Sequence, residues 1–223
     1  MVDIDAPGIV LFDMDSTLIT IECIDELAAL VGKKQQVSAV TEAAMRGELD
    51  FAESLRARVK LLAGVHERQL QQLLEPIPFS VGAQALIAWF QQRGWHTALV
   101  SGGFTWFSGQ VAEALKLDAH KANQLQWQQH CLTGTVAEPI VDGQSKADYL
   151  HTLAQRWQLP MSNTIAVGDG ANDKAMLQAA GLGIAYCAKP ALQEVADWCI
   201  QEPDLMQLAN YLETMKSRTS ETH

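Results

Sequence analysis

A chain of 223 residues, 48% hydrophobic and 19% charged, has room for one large domain or for a core carrying a smaller insert. Its formal net charge of −10, with no lysine or arginine run, argues against a sequence-independent nucleic-acid binder, which needs a basic stripe. No segment approaches the ~20 apolar residues that span a bilayer. No basic-then-apolar leader opens the chain and its four cysteines form no C-x-x-C pair, so a cytoplasmic protein with reduced thiols and no membrane attachment is expected.

Residues 8–13 read as a short buried strand. Helical patterns follow to about residue 75: "ECIDELAALVG" stops at Gly32, "KKQQVSAVTEAAMRG" stops at Gly47, and "HERQLQQLLEPIP" ends at Pro76 and Pro78. Between them "DFAESLRARVKLLAG" opens with Asp50 as N-cap and Glu53 three residues on, a capping-box spacing. From residue 80 helix and strand alternate. "VGAQALIAWFQQRG" predicts a helix, "WHTALV" a strand and "TWFSGQVAEALKL" a helix. Short paired strands are expected over 119–142, with a turn near Thr133–Gly134. Then come "SKADYLHTLAQRWQL" (helix), "TIAVG" (strand), "NDKAMLQAAG" (helix), "LGIAY" (strand), "PALQEVADW" (helix) and a closing helix "LMQLANYLETM".

This alternation predicts an α/β fold, a Rossmann-like parallel sheet with helices on both faces. The helical run 17–80 then reads as an inserted helical-bundle cap on a core made of 1–16 and 81–216, with a loose tail at 217–223. Hinges are expected near Ser16–Thr20 and Pro76–Gly82.

In "GIVLFDMDSTLI", two carboxylates, Asp13 and Asp15, follow a buried strand directly. Residues two apart in extended chain share a side, so like charges are crowded where they resist ionisation. Two other strands also end in polar clusters, Ser101-Gly102-Gly103 and Gly168-Asp169-Gly170-Ala171-Asn172-Asp173, and Lys146 lies at a helix start between them. Open parallel sheets bind ligands outside the carboxyl ends of their strands, which would gather all three clusters on one edge. Carboxylates without a His or Cys cluster suit a hard cation, Mg²⁺ foremost, while a lysine and exposed N–H groups suit a phosphoryl group. One aspartate can attack such a phosphorus and a second can carry the proton.

The inserted helices carry their own signal. At 100° per residue Phe51, Leu55, Arg58 and Leu62 fall within about 60° of one another, so Arg58 sits on an apolar stripe. It either snorkels from a core edge or presents a guanidinium to a carboxylate. Glu22 either favours a helix dipole or binds an ammonium group. Ammonium, carboxylate and phosphate sites together describe a phosphorylated amino acid, with phosphoserine, phosphothreonine and other small members left open.

These motifs resemble the haloacid dehalogenase-like phosphatases, with D-x-D-x-T, a strand-end serine, a lysine and an acidic G-D-x-x-x-D element. "FDMDSTL", "AMRGELDFAESLRARV", "VSGGF" and "VGDGANDKAML" most resemble the branch of that family that hydrolyses O-phosphoserine in the last step of serine biosynthesis. The resemblance implies a HAD-like core, Asp13 as nucleophile and Mg²⁺ ligand, and Asp15 as acid/base with its carbonyl on the metal. It also implies Asp169 as third metal ligand, and Ser101, Gly102 and Lys146 on the phosphate. Glu22, Met45, Phe51 and Arg58 are implied to hold the amino-acid part, Asn172 to contact substrate, Asp173 to orient Lys146 or a metal-bound water, and Thr17 to fix the first loop. A small-molecule substrate, a monomer or homodimer, and no regulatory N-terminal domain are expected. Lys174 stands where the family pattern is apolar, and transfer of the phosphoryl group to an alcohol such as homoserine remains an alternative to hydrolysis.

Overall fold

The computed structural model describes residues 2–220. A six-stranded parallel sheet forms its centre, built from β1 (Ile9–Phe12), β2 (His96–Phe104), β3 (Ala119–Asn123), β6 (Thr164–Gly168), β7 (Leu182–Tyr186) and β8 (Trp198–Ile200), in the order β3-β2-β1-β6-β7-β8. A separate antiparallel hairpin joins β4 (Leu125–Gln128) to β5 (Cys131–Val136). Strand β1 is fully buried on both faces, and its period of two divides the core. Ile9 and Leu11 meet Leu150 and Leu153 of α7 (Gly143–Trp157) and Met176 and Leu177 of α8 (Lys174–Ala179) on one side. Val10 and Phe12 face the other layer. There Phe90 of α5 (Ala83–Gln92), Phe107 of α6 (Thr105–Leu115) and Leu208 of α10 (Met206–Ser220) pack. Parallel strands covered on both faces are the arrangement their uninterrupted apolar sequence requires.

Between β1 and α5 lie four helices: α1 (Cys23–Leu30), α2 (Lys34–Met45), α3 (Phe51–Leu61) and α4 (Glu67–Gln72). The α3 start carries the capping box read from sequence: Glu53 N–H donates to Asp50 Oδ1 at 2.7 Å and Asp50 N–H donates to Glu53 Oε2 at 2.9 Å. The two chain crossings to this segment lie side by side. Ile19 bridges Phe79 in antiparallel fashion, Thr20 N–H donates to Pro78 O at 2.9 Å and Ser80 N–H donates to Leu18 O at 2.9 Å.

Four local expectations are corrected. Residues 119–123 do not pair with the hairpin but form the edge strand of the main sheet. The hairpin turns at Gln129–His130, both at positive φ, not at Thr133–Gly134, which lies inside β5. Gly134 serves close approach instead: a Cβ there would come 2.8 Å from Ala63 Cβ, below any normal contact. The helix expected from Pro190 ends as α9 (Pro190–Gln193), and Trp198 opens β8. The tail expected to be loose from 217 is helical as far as Ser220, and 221–223 lie outside the described residues. Among the described residues, no helix is long and apolar enough to cross a membrane.

Candidate active site

Sheet register alone brings the three polar clusters together. Phe12, the last residue of β1, lies opposite Leu99 of β2 and Val167 of β6. One step further is Asp13, whose N–H donates to Val167 O at 2.9 Å. Two steps past Leu99 is Ser101, and two past Val167 is Asp169. The chain leaves β1 for β2 on one side and later returns to β6 on the other, so this is the point where the strand order switches. A tight turn over Met14–Leu18 follows, with Ser16 at φ 55. That turn carries Thr17 Oγ1 back to donate to Asp169 Oδ1 at 3.1 Å, and Ser16 Oγ to donate to Glu22 Oε1 at 2.6 Å.

Beneath the strand ends lies a buried charge cluster. Lys146 Nζ stands 2.8 Å from Asp13 Oδ1 and 2.6 Å from Asp173 Oδ1, and neither Lys146 nor Asp173 has any exposed surface. Burial alone would lower the lysine pKa, but the two carboxylates reverse this and raise it above the ordinary value, so it stays an ammonium. The second Asp173 oxygen accepts from Asp169 N–H (3.1 Å) and Gly170 N–H (3.0 Å), which fixes the loop after β6. Gly168 is required here because a Cβ would overlap the Asp173 carboxyl.

Asp15 is held separately. Its Oδ1 accepts from Cys23 N–H at 3.1 Å and its Oδ2 from Ser101 Oγ at 3.4 Å, while Ser101 Oγ accepts from Gly103 N–H at 2.8 Å. Burial raises the pKa of its carboxyl above the usual range, only partly offset by the Cys23 and Ser101 contacts. A Cβ at Gly103 would come 2.8 Å from Asp15 Oδ2.

Above these groups opens a cavity of about 530 Å³ between strand ends and inserted helices. Asp13, Asp15, Ser101, Gly102, Asp169 and Asn172 from the strand-end loops line it together with Glu22, Met45, Phe51 and Arg58 from the inserted segment. Every sequence-predicted site residue is therefore at the cavity except Lys146, Thr17 and Asp173, which lie behind its wall and contact the residues that form it. Burial, then the nearby Asp15 charge, pushes Glu22 up to about 7. The half-buried Arg58 donates from Nε to Ser54 O at 3.3 Å and has no ion-pair partner among the described residues. Desolvation lowers its pKa, while Asp25 and Glu22 work in the opposite direction.

A hard divalent cation fits the floor. Oxygens of Asp13, Asp169 and Asp173 lie within 4.8 Å of one another. Three carboxylates against the single Lys146 ammonium leave two negative charges, and the buried Asp13 Oδ1, though 2.8 Å from Lys146, accepts no aligned hydrogen bond. Burial and Asp173 push Asp13 well up against the pull of Lys146, the condition a bound cation relieves. Burial, then Asp173, likewise carries Asp169 to about 6. Both Asp173 oxygens already have protein donors, so Asp13 and Asp169 are the carboxylates best placed to ligate. An all-oxygen set of this kind suits Mg²⁺.

Sequence reasoning missed Cys23 and Lys189, and it named Gly103 only within the strand-end cluster, not for the room it leaves Asp15 Oδ2. Lys189 follows β7, a fourth strand ending on this edge, so the strand-end rule applied to it as well.

The model of the haloacid dehalogenase-like hydrolase family matches residues 10–178. A phosphoserine phosphatase of Idiomarina loihiensis is 56% identical over 205 residues, covering 92% of this chain and 93% of the relative. Two solved structures are similarly near. A phospho-aspartyl intermediate analogue of phosphoserine phosphatase has a TM-score of 0.86 at 40% identity, covering 92% of this chain and 98% of that one. A substrate-bound phosphoserine phosphatase complex has a TM-score of 0.86 at 39% identity with the same coverages.

Proposed function

Since this chain belongs to the haloacid dehalogenase-like hydrolases, we propose that its cavity hydrolyses O-phosphoserine to serine and phosphate in the cytoplasm, with residues 17–80 acting as a cap over 1–16 and 81–216. One observation carries the substrate assignment: a single cavity is lined by Asp13, Asp15 and Ser101 from the strand ends and by Glu22 and the unpaired Arg58 from the inserted segment. Glu22 and Arg58 match the α-amino and α-carboxyl groups of such a substrate in sign, while the phosphate would need a bound cation and the Ser101 and Gly102 donors against the aspartates.

In this reading Asp13 attacks phosphorus with a carboxylate oxygen in line with the serine Oγ, forming an aspartyl-phosphate as the P–O bond to serine breaks. Asp15 gives its proton to the departing serine oxygen, a role for which a raised pKa prepares it. Now ionised, Asp15 takes a proton from the water that attacks the same phosphorus, so phosphate leaves, Asp13 is restored and Asp15 is again protonated. Ser101, the N–H of Gly102 and Lys146, which is 2.8 Å from Asp13, hold the phosphoryl group, and Asn172 contacts the substrate. Asp13, Asp169 and the Asp15 carbonyl would hold Mg²⁺, which would supply positive charge for the phosphoryl group. Glu22 takes the ammonium group and Arg58 the carboxylate, while Met45 and Phe51 close the apolar side. Thr17 and Asp173 fix the loops.

Phosphate release from a panel of phosphorylated amino acids and sugars, with and without Mg²⁺ and with and without an added alcohol, tests this reading. Release that is fastest from phosphoserine, needs Mg²⁺ and is unaffected by the alcohol supports it. A preference for a phosphosugar, or transfer to the alcohol, overturns it.

A further inference from the structure

The cavity has an electrostatic problem that the residues above leave unsolved. Five acids line it (Asp13, Asp15, Glu22, Asp25 and Asp169) against two cations (Arg58 and Lys189), in a chain of net charge −10. A phosphate dianion approaching from solvent meets a repulsive field. Lys146 is fully buried, already paired with Asp13 and Asp173, and absent from the cavity lining, so it presents no charge to a group still in solvent. Arg58 comes from the inserted segment and, in the proposed reading, takes the carboxylate.

Lys189 is placed differently. It is exposed, lines the cavity beside the 169–172 loop, and forms no ion pair among the described residues. Its backbone is nevertheless fixed. Ala188 O accepts from Gln193 Nε2 at 2.6 Å, Lys189 O accepts from Leu192 N–H at 3.0 Å, and Pro190 locks the next φ. Cys187, at φ 44, turns the chain out of β7 toward the cavity, and its N–H donates to Ile200 O at 2.8 Å. An exposed ammonium on a hydrogen-bonded backbone, lining an acidic cavity, is suited to capture rather than to chemistry, since a hydrated charge on a four-carbon stem has three rotatable donors to offer.

We propose that Lys189 is a positioning residue that draws the phosphate group into the cavity and hands it to Ser101 and the strand-end N–H groups, governing capture and not the covalent steps. The inference rests on reading this cavity as a phosphate-ester site.

The experiment compares wild type with K189Q, K189E and K189R, using K174Q as a charge-matched control, because Lys174 is exposed and does not line the cavity. Inorganic phosphate binding with Mg²⁺ present is measured by calorimetry from low salt to about 0.5 M NaCl, alongside steady-state kinetics on phosphoserine. K189Q is expected to bind phosphate about three- to tenfold more weakly at low salt, K189E more weakly still, and the gap to wild type should shrink as salt screens the charge. K189R should restore binding, K174Q should match wild type, and the kinetic change in K189Q should fall mainly on KM. Equal phosphate affinity and salt dependence in wild type and K189Q overturn the proposal while leaving the phosphatase reading intact. No phosphate binding by wild type sinks both.

Discussion

Lys146 donates a 2.6 Å hydrogen bond to Asp173 with both side chains completely out of solvent, and this pair ties the loop after β6 to the first turn of α7. Asp173→Asn leaves Lys146 its Asp13 contact, but an amide has one oxygen where Asp173 uses two, one for Lys146 and one for the Asp169 and Gly170 N–H groups, so a buried donor loses its acceptor. The substitution should therefore lower unfolding free energy by about 1–3 kcal/mol in urea titrations. It should also weaken the cradle for the Asp169 and Gly170 N–H groups, so Mg²⁺ affinity falls with stability.

Asp13→Asn has the opposite stability signature. The carboxyl it replaces is buried, repelled by Asp173 and pushed well above its usual pKa, while Lys146 keeps Asp173 as partner. Turnover should drop at least about 10⁴-fold because the nucleophile is gone. Thermal unfolding of the metal-free protein should occur at an equal or higher temperature than wild type. A clear loss of metal-free stability would contradict this account of the charge cluster.

In the proposed reading Arg58 serves substrate recognition and takes no part in the chemistry. Arg58→Ala should raise KM for phosphoserine by about 10- to 100-fold, as expected for a lost charge-assisted contact in a half-buried site. Hydrolysis of phenyl phosphate, which has no carboxylate, should change by less than about threefold. Equal damage to both substrates would return Arg58 to a packing role.

Glu22 sets a pH dependence whose sign is fixed by its value of about 7. Only ionised Glu22 pairs with an ammonium, so kcat/KM for phosphoserine relative to phenyl phosphate should fall as pH drops through 7. Taking the ratio removes the titration of the phosphate groups themselves. Glu22→Gln should have a lower and flatter ratio. Stability runs the other way: from 4.5, its unperturbed value, up to about 7 the unfolded chain loses a proton that the folded chain keeps. Glu22 therefore costs stability as pH rises through that window, and Glu22→Gln should flatten this stretch of the denaturation profile.

Gly103→Ala tests the alignment of the proton carrier. A methyl group there would press on Asp15 Oδ2 and Ser101 Oγ, at 2.8 and 3.0 Å. An expected loss of about 10- to 100-fold in kcat, with near-normal phosphate binding, would show that Asp15 needs this geometry.

Much of the site was legible because its signals are local and short: two aspartates two residues apart, a glycine-rich strand end, an acidic turn. Arg58 was legible because α3 is regular enough for a periodic stripe to mean one face. The parts that were not legible depend on tertiary partners. Gly134 looked like a turn residue, yet its lack of a side chain lets β5 approach Ala63, while the turn itself uses Gln129 and His130 at positive φ without any glycine. Strand β8 is three residues long and follows a helix-like pattern, too short for periodicity to register. Cys23 is silent in sequence because its contribution is a backbone N–H, which any residue but proline could offer.

The paired crossings at Leu18–Thr20 and Pro78–Ser80 bear on how such a protein is altered over time or by hand. Entry and exit of the helical segment are adjacent and bonded to each other, so in the proposed division the segment can be exchanged as a unit while the strand order that assembles Asp13, Ser101 and Asp169 lies outside it. The exchange is not purely local, however. Gly64 and Val65 exchange backbone hydrogen bonds with Leu132, and Glu67 N–H donates to His130 O, so the β4–β5 hairpin belongs with the helices in any transplant. Swapping 17–80 together with 125–136 should move substrate choice between relatives and keep the phosphoryl chemistry only where the donor segment supplies the Thr17 hydroxyl to Asp169 and the Cys23 N–H to Asp15.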